Sequence, residues 1–169
     1  TLFMVMLGIF DILLHRLSGQ EDICIGTPVA GRGHADLENV VGMFVNTLVL
    51  RVQSPRKQTF RDFLGHVKTL TLDAFENQDY PFEELVENVA LHRDTSRNPL
   101  FDVMFSYNRV DAPAPPDGDS AGTLAEAPDD TGSPGEPGSQ RTAKVDLSLE
   151  IADAGNQLHL NIEYCTRLF

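Results

Sequence analysis

Residues 42–51 read GMFVNTLVLR. The stretch alternates with the period of a β-strand, placing Phe44, Asn46, Leu48 and Leu50 on one side and Val45, Thr47, Val49 and Arg51 on the other. The first side is apolar except for Asn46. An unpartnered carboxamide in a core costs on the order of 1–3 kcal/mol, so the group must be satisfied. Either neighbouring backbone or a bound ligand does so, and the spacing leaves both answers open.

Working outward, the strand extends over 44–52. Before it, ICIGTPV at 23–29 reads as another strand that runs into the turn AGRG, and a short helix is expected over 36–41 with Asp36 as its N-cap. After it, Thr59 and Asp62 resemble a capping box. Phe60, Phe63, Leu64, Val67, Leu70 and Ala74 then fall at helical spacing, which predicts an amphipathic helix over 59–76. Pro81 suits a first helical position and Glu83 and Glu84 suit a helix N-terminus, so a further helix is expected over 81–90. Upstream, the apolar run 1–17 reads as a helix closing at Ser18-Gly19, where glycine can cap. FDVMFSY at 101–107, VDLSLEI at 145–151 and LHLNIEY at 158–164 alternate as strands, the last two joined by the hairpin-like ADAGNQ. The mixture predicts an α/β (α+β) domain in which helices cover a mixed sheet.

The chain has 169 residues, a formal net charge of −12 and a pI near 4.6. That balance argues against nucleic acid or an anionic membrane surface as partner. Asp11, His15 and Arg16 interrupt an opening run that is in any case too short to span a bilayer, and the run lacks the basic segment and cleavage site of a secretory signal. It reads as a fragment that opens inside a buried helix. The two cysteines, Cys24 and Cys165, form no CxxC and predict free thiols in a reducing, cytoplasmic setting. Residues 109–140 hold six of the ten prolines, seven acids against one base and no aromatic residue. Such a stretch buries too little apolar surface to offset its ordering entropy, and a mobile acidic insert is expected there.

Chemistry-bearing motifs are sparse. There is no Gly-rich phosphate loop, nucleophile elbow or HExxH, and the five histidines never come in pairs. Asp11 and His15 suit a local helical pair. His159 and Glu163 share a strand face with Asn161, and a solvated surface explains them more simply than a metal does. Two other polar clusters, Gln78–Phe82 and Arg93–Pro99, read by themselves as a helix start and a self-capping loop.

Taken together, IGTPVAGR at 25–32, VGMFVNTLVLR at 41–51, ENQDYPFEELVE at 76–87 and RDTSRNPLF at 93–101 resemble, in order and spacing, the later core motifs of condensation domains of nonribosomal peptide synthetases. LLHRLSGQEDI near the start and TAKVDLSLEI near the end also fit. The resemblance covers nearly the whole chain, departing at the acidic insert and at Val145, where the family usually carries an aromatic residue. It implies a chloramphenicol-acetyltransferase-like half: a condensation domain has two such lobes facing each other across a tunnel. The family's HHxxxDG signature is missing here, so residues 1–169 are expected to be the C-terminal lobe only, clipped at both ends, and no catalytic residue is assigned.

The implied activity of the parent is amide formation between donor and acceptor thioesters tethered to carrier proteins. No cofactor is expected to bind the lobe directly, since substrates arrive on 4'-phosphopantetheine, and no metal is expected. The implied partners are the N-terminal lobe, upstream and downstream peptidyl carrier proteins and an adenylation domain. The substrate-binding residues implied by the motif are Gly42, Phe44, Asn46 and Thr47. Arg51, Pro81, Phe82, Arg93 and Asp94 are expected to be structural. The competing readings are a noncatalytic lobe that docks carrier or adenylation domains and a relative that epimerises or cyclises. The VNT triplet and QDYPFE favour ordinary condensation over the latter.

Overall fold

A computed structural model describes residues 1–37, 39–53, 58–89, 97–110 and 143–168. In chain order these form α1 (Leu2–Ser18), β1 (Asp22–Val29), a single 3-10 turn (Ala35–Leu37), β2 (Asn46–Gln53), α2 (Phe60–Glu76), α3 (Phe82–Val89), β3 (Val103–Arg109), β4 (Leu147–Asp153) and β5 (Leu158–Tyr164). The strands make one mixed five-stranded sheet in the order β2-β1-β3-β4-β5. The outer pairs β1–β2 and β4–β5 are antiparallel, whereas β3 runs parallel to both β1 and β4. The expected mixed sheet covered by helices is therefore present.

Local sequence sets most of the element ends. Gly19 closes α1 with φ of 72°, a left-handed conformation that glycine adopts without steric cost. The Thr59 hydroxyl accepts from the Asp62 N–H and so caps α2, as the spacing predicts. Four boundaries differ from expectation. The short helix at 36–41 is only the 3-10 turn, and Asp36 lies inside it rather than capping it. β2 starts at Asn46, not Phe44, because the backbone of Phe44 turns across Gly31 instead of pairing. β3 starts at Val103, because Phe101 leaves the ladder to lie over Gly26. β4 starts at Leu147 and runs to Asp153.

One sheet face carries the core. Ile23 and Ile25 of β1, Leu50 and Val52 of β2, Phe105 of β3 and Leu147, Leu149 and Ile151 of β4 pack against Met4, Leu7, Phe10 and Leu14 of α1 and Phe63 and Val67 of α2. Phe10 stacks on Phe105 at 5.9 Å, and Phe3 meets Phe75, Phe105 and Tyr107 edge-on. Cover is incomplete, however. On the same face, Leu158, Leu160, Ile162 and Tyr164 of the edge strand β5 stay exposed, as do Ile9, Leu13 and Leu17 of α1. The acidic insert expected at 109–140 lies outside the described residues apart from its first two positions.

Candidate functional site

The motif residues converge where β1 ends and β2 begins. Asn46 opens β2 opposite Val29, and its carboxamide makes four hydrogen bonds. The Nδ2 group donates to the carbonyls of Gln78 and Tyr80, each at 2.8 Å. Oδ1 accepts from the N–H of Thr47 at 2.9 Å and from the N–H of Phe82 at 3.1 Å. The last of these matters for α3. Phe82 is its first residue, and a helix leaves its first N–H groups without internal partners. Proline cannot cap with a side chain, so Asn46 supplies the missing acceptor from a strand 36 residues away. The Gln78–Phe82 turn is thus clamped to β2, and Pro81 sits one place before the helix, with its carbonyl accepting from Leu85.

Arg32 does similar work on the other side. Its guanidinium donates to the carbonyls of Leu37, Val40 at 2.9 Å and Gly42 at 3.4 Å, and stacks 4.6 Å from the centre of the Phe44 ring. Gly31 has φ of 62°, and a Cβ there would lie 1.8 Å from the Phe44 carbonyl oxygen. Only glycine admits that approach. A Cβ on Gly42 would meet the Phe44 ring at 3.2 Å. The loop between β1 and β2 is therefore pinned from inside, which holds Val41, Met43 and Val45 outward at 99%, 92% and 62% exposure.

Of the four residues expected to bind substrate, Gly42 and Phe44 are tied into this loop and Asn46 is committed to backbone. Thr47 keeps a hydroxyl with no partner among the described residues. Arg51 forms the expected ion pair at the strand end, a two-pronged contact with Asp22 at 2.6–3.1 Å. That contact lowers the pKa of Asp22, the hydrogen bond from Arg51 being the main cause. Arg93 and Asp94 lie outside the described residues. The rest of their motif is structural in part: Arg97 pairs with Asp102 at 3.1 Å and Asp146 at 3.6 Å. These groups border a cavity of about 430 Å³ at the opposite end of the sheet, bounded by Leu17, Asp22, Cys24 and Phe101, and none of the expected substrate residues reaches it.

The other sequence candidates stay apart. His15 contacts the Gln20 carbonyl, and His34 pairs with exposed Asp36. Cys24 and Cys165 are free thiols, and burial raises the pKa of Cys24. Among the described residues no group of three or more His, Cys, Asp or Glu side chains is placed to hold a metal ion, and no helix is long and apolar enough to cross a membrane. Sequence reasoning missed Arg32 as a loop anchor. The AGRG turn was visible, but its carbonyl partners lie five to ten residues on, the first two of them in a segment read as helix.

The chain thus combines a mixed sheet, helices packed on one face, and a strand opening pinned by the IGTPVAGR arginine and the FVNT asparagine. The whole chain, residues 1–169, matches the Condensation domain family, and the protein belongs to it. It is 47% identical over 169 residues to Gramicidin S synthase 2 of Brevibacillus brevis and 45% identical over 175 residues to Tyrocidine synthase 3 of Brevibacillus parabrevis. Those matches cover 100% of this chain but only 4% and 2% of the two synthases. Among solved structures, a four-domain nonribosomal peptide synthetase bound to AMP and glycine superposes with a TM-score of 0.75 at 28% identity, over 96% of this chain and 13% of that one. The condensation domain of a monacolin K polyketide synthase shares the fold, with a TM-score of 0.74 at 22% identity over 99% of this chain and 36% of that one.

Proposed function

We propose that residues 1–169 are the C-terminal lobe of a nonribosomal peptide synthetase condensation domain. The parent joins a donor acyl or peptidyl thioester to the amine of an acceptor aminoacyl thioester. In that step a C–N bond forms, the C–S bond of the donor breaks, and the amine proton leaves with the released pantetheine thiol. The observation that carries the reading is the full-length family match together with the motif geometry built on Arg32 and Asn46. The share of the solved condensation domain that this chain covers, 36%, supports a single lobe.

The roles follow from the geometry. Asn46 and Arg32 position backbone, and Phe44 and Gly42 shape the pinned loop. A substrate contact from this motif falls to Thr47, whose N–H Asn46 fixes and whose hydroxyl is uncommitted. The sequence carries no HHxxxDG, so no residue is assigned the proton transfer and the lobe alone is expected to be inactive. The outward Val41, Met43 and Val45 suit docking of the N-terminal lobe. Carrier proteins bring substrates on phosphopantetheine, an adenylation domain adjoins, and the setting is cytoplasmic. Mass spectrometry of carrier-bound products tests the reading: the complete domain forms the amide and residues 1–169 alone do not. Product from this chain above a no-enzyme control refutes the lobe assignment.

A further inference from the structure

β5 forms one outer edge of the sheet, and among the described residues no strand lies beyond it. All seven of its residues are exposed, whereas every other described strand buries at least one. Edge strands are ordinarily guarded by lysine, proline or a bulge, because their outward N–H and C=O groups template pairing with another chain. β5 has none of these guards. LHLNIEY at 158–164 contains neither lysine nor proline, and it pairs with β4 one residue to one over its whole length.

The ladder fixes which backbone groups point outward. The Ala154 N–H donates to the Gln157 carbonyl at 3.0 Å, and the Cys165 N–H donates to the Asp146 carbonyl at 2.9 Å. Hydrogen-bonded residues alternate along an antiparallel strand. His159, Asn161 and Glu163 therefore turn their N–H and C=O groups toward β4, and Leu158, Leu160 and Ile162 turn theirs away.

The same seven residues are complementary to themselves when reversed. With Asn161 set opposite Asn161 of a second copy, Leu160 falls opposite Ile162, Leu158 opposite Tyr164 and His159 opposite Glu163. The phase is right, since Leu160 and Ile162 both present outward backbone groups and so exchange hydrogen bonds twice across the axis. His159 and Glu163 then meet in non-hydrogen-bonded pairs, where opposing side chains stand closest. A register centred on Leu160 sets His159 against Asn161, and one centred on Ile162 sets Glu163 against Asn161, so either shift loses both charge-complementary pairs.

We propose that β5 is a self-recognition edge, through which two copies of this chain pair antiparallel about a twofold axis at Asn161 and join their sheets into one. Such an interface is self-complementary and closed, so assembly stops at two copies. It is independent of the acyl-transfer reading.

Sedimentation equilibrium of the 169-residue chain tests it at ~0.15 M ionic strength, where repulsion between two copies of net charge −12 is screened beyond about 8 Å. A monomer–dimer equilibrium is expected. His159→Glu sets two glutamates against each other in both pairs and should weaken the dimer about tenfold. Adding Glu163→Lys restores opposite charges in the same register and should recover the affinity. In a Cys24→Ser, Cys165→Ser background, Asn161→Cys places two thiols across the axis and should give a covalent dimer with glutathione disulfide as oxidant, whereas His159→Cys should not. In the unsubstituted chain, exchange at the Leu160 and Ile162 N–H groups should slow as concentration rises. A monomer at every concentration, oligomers larger than two, a dimer indifferent to His159→Glu, or a dimer whose Leu160 and Ile162 amides exchange freely each overturns the proposal. Slow exchange of those amides at every concentration also overturns it, because the edge is then covered within one chain.

Discussion

Replacing Asn46 by alanine removes all four hydrogen bonds of the clamp at once. The position is half-buried, so water can reach part of what is uncovered, and each bond is worth a net ~0.5–1 kcal/mol there. Their sum is a loss of about 2–4 kcal/mol. For a chain of this size that corresponds to a fall in Tm of ~5–15 °C, or about 1–2 M in the urea midpoint. Hydrogen exchange should localise the effect, because the Phe82 N–H has Asn46 as its acceptor and should open in the variant. Asn46→Asp is the sharper control. It keeps the two acceptor contacts but replaces the donor with a carboxylate facing the carbonyls of Gln78 and Tyr80, so it should be no more stable than the alanine variant. The reasoning fails if Asn46→Ala leaves both the midpoint and the Phe82 exchange rate unchanged. It also fails if, in the complete domain, the single-turnover rate per folded molecule falls while stability holds, since Asn46 would then act on substrate and not on the turn.

Gly31→Ala should cost more than about 2 kcal/mol in denaturant titration, because left-handed strain adds to a Cβ set 1.8 Å from the Phe44 oxygen. Gly26→Ala drives a methyl to 2.6–2.8 Å from the Phe101 ring and should lower the melting temperature, and a Phe101→Leu background should recover part of the loss. Asp22 and Asp153 have folded pKa values below the ordinary aspartate value, held down chiefly by hydrogen bonds from Arg51 and Tyr107. Their contribution is present above that value and is lost as pH falls through the lower folded values, so an acid titration of Asp22→Asn should show a shallower stability loss than the unsubstituted chain. The exposed Leu160 and Ile162 of β5 should make the chain self-associate, and Leu160→Lys with Ile162→Lys should shift sedimentation toward monomer.

Legibility in the sequence followed the range of the forces involved. α2 was readable because its cap and its apolar stripe are local signals three and four residues apart. β5 was readable because alternation survives even where the face it marks is exposed. The strand starts at 46, 103 and 147 were not, since each is set by a distant contact: Phe44 turning over Gly31, Phe101 lying on Gly26, and the parallel pairing of Val103 with Leu147. The place of Asn46 on an otherwise apolar face was visible from period two alone. Its partners were not, because 32 to 36 residues of chain separate it from the turn it holds. The motifs together named the family, while His159, Asn161 and Glu163 on β5 read more simply as a solvated face, since alternating polar residues by themselves carry no further signal.

The two long side chains at the strand opening explain a further oddity, the near-complete exposure of Val41 and Met43. A free loop of this composition would turn its apolar side chains inward. Here the Arg32 guanidinium occupies the inner carbonyls of Leu37, Val40 and Gly42, and the Phe44 ring fills the space beneath it, so no inward position remains. These contacts hold the described part of the loop with no partner bound. Association must otherwise supply about 0.5–1.5 kcal/mol for each side chain it immobilises, and a loop already fixed avoids much of that loss. Arg32 and Asn46 thus hold apolar groups and the Gln78–Phe82 turn in a fixed relation, and the docking we propose for the N-terminal lobe falls to Val41, Met43 and Val45.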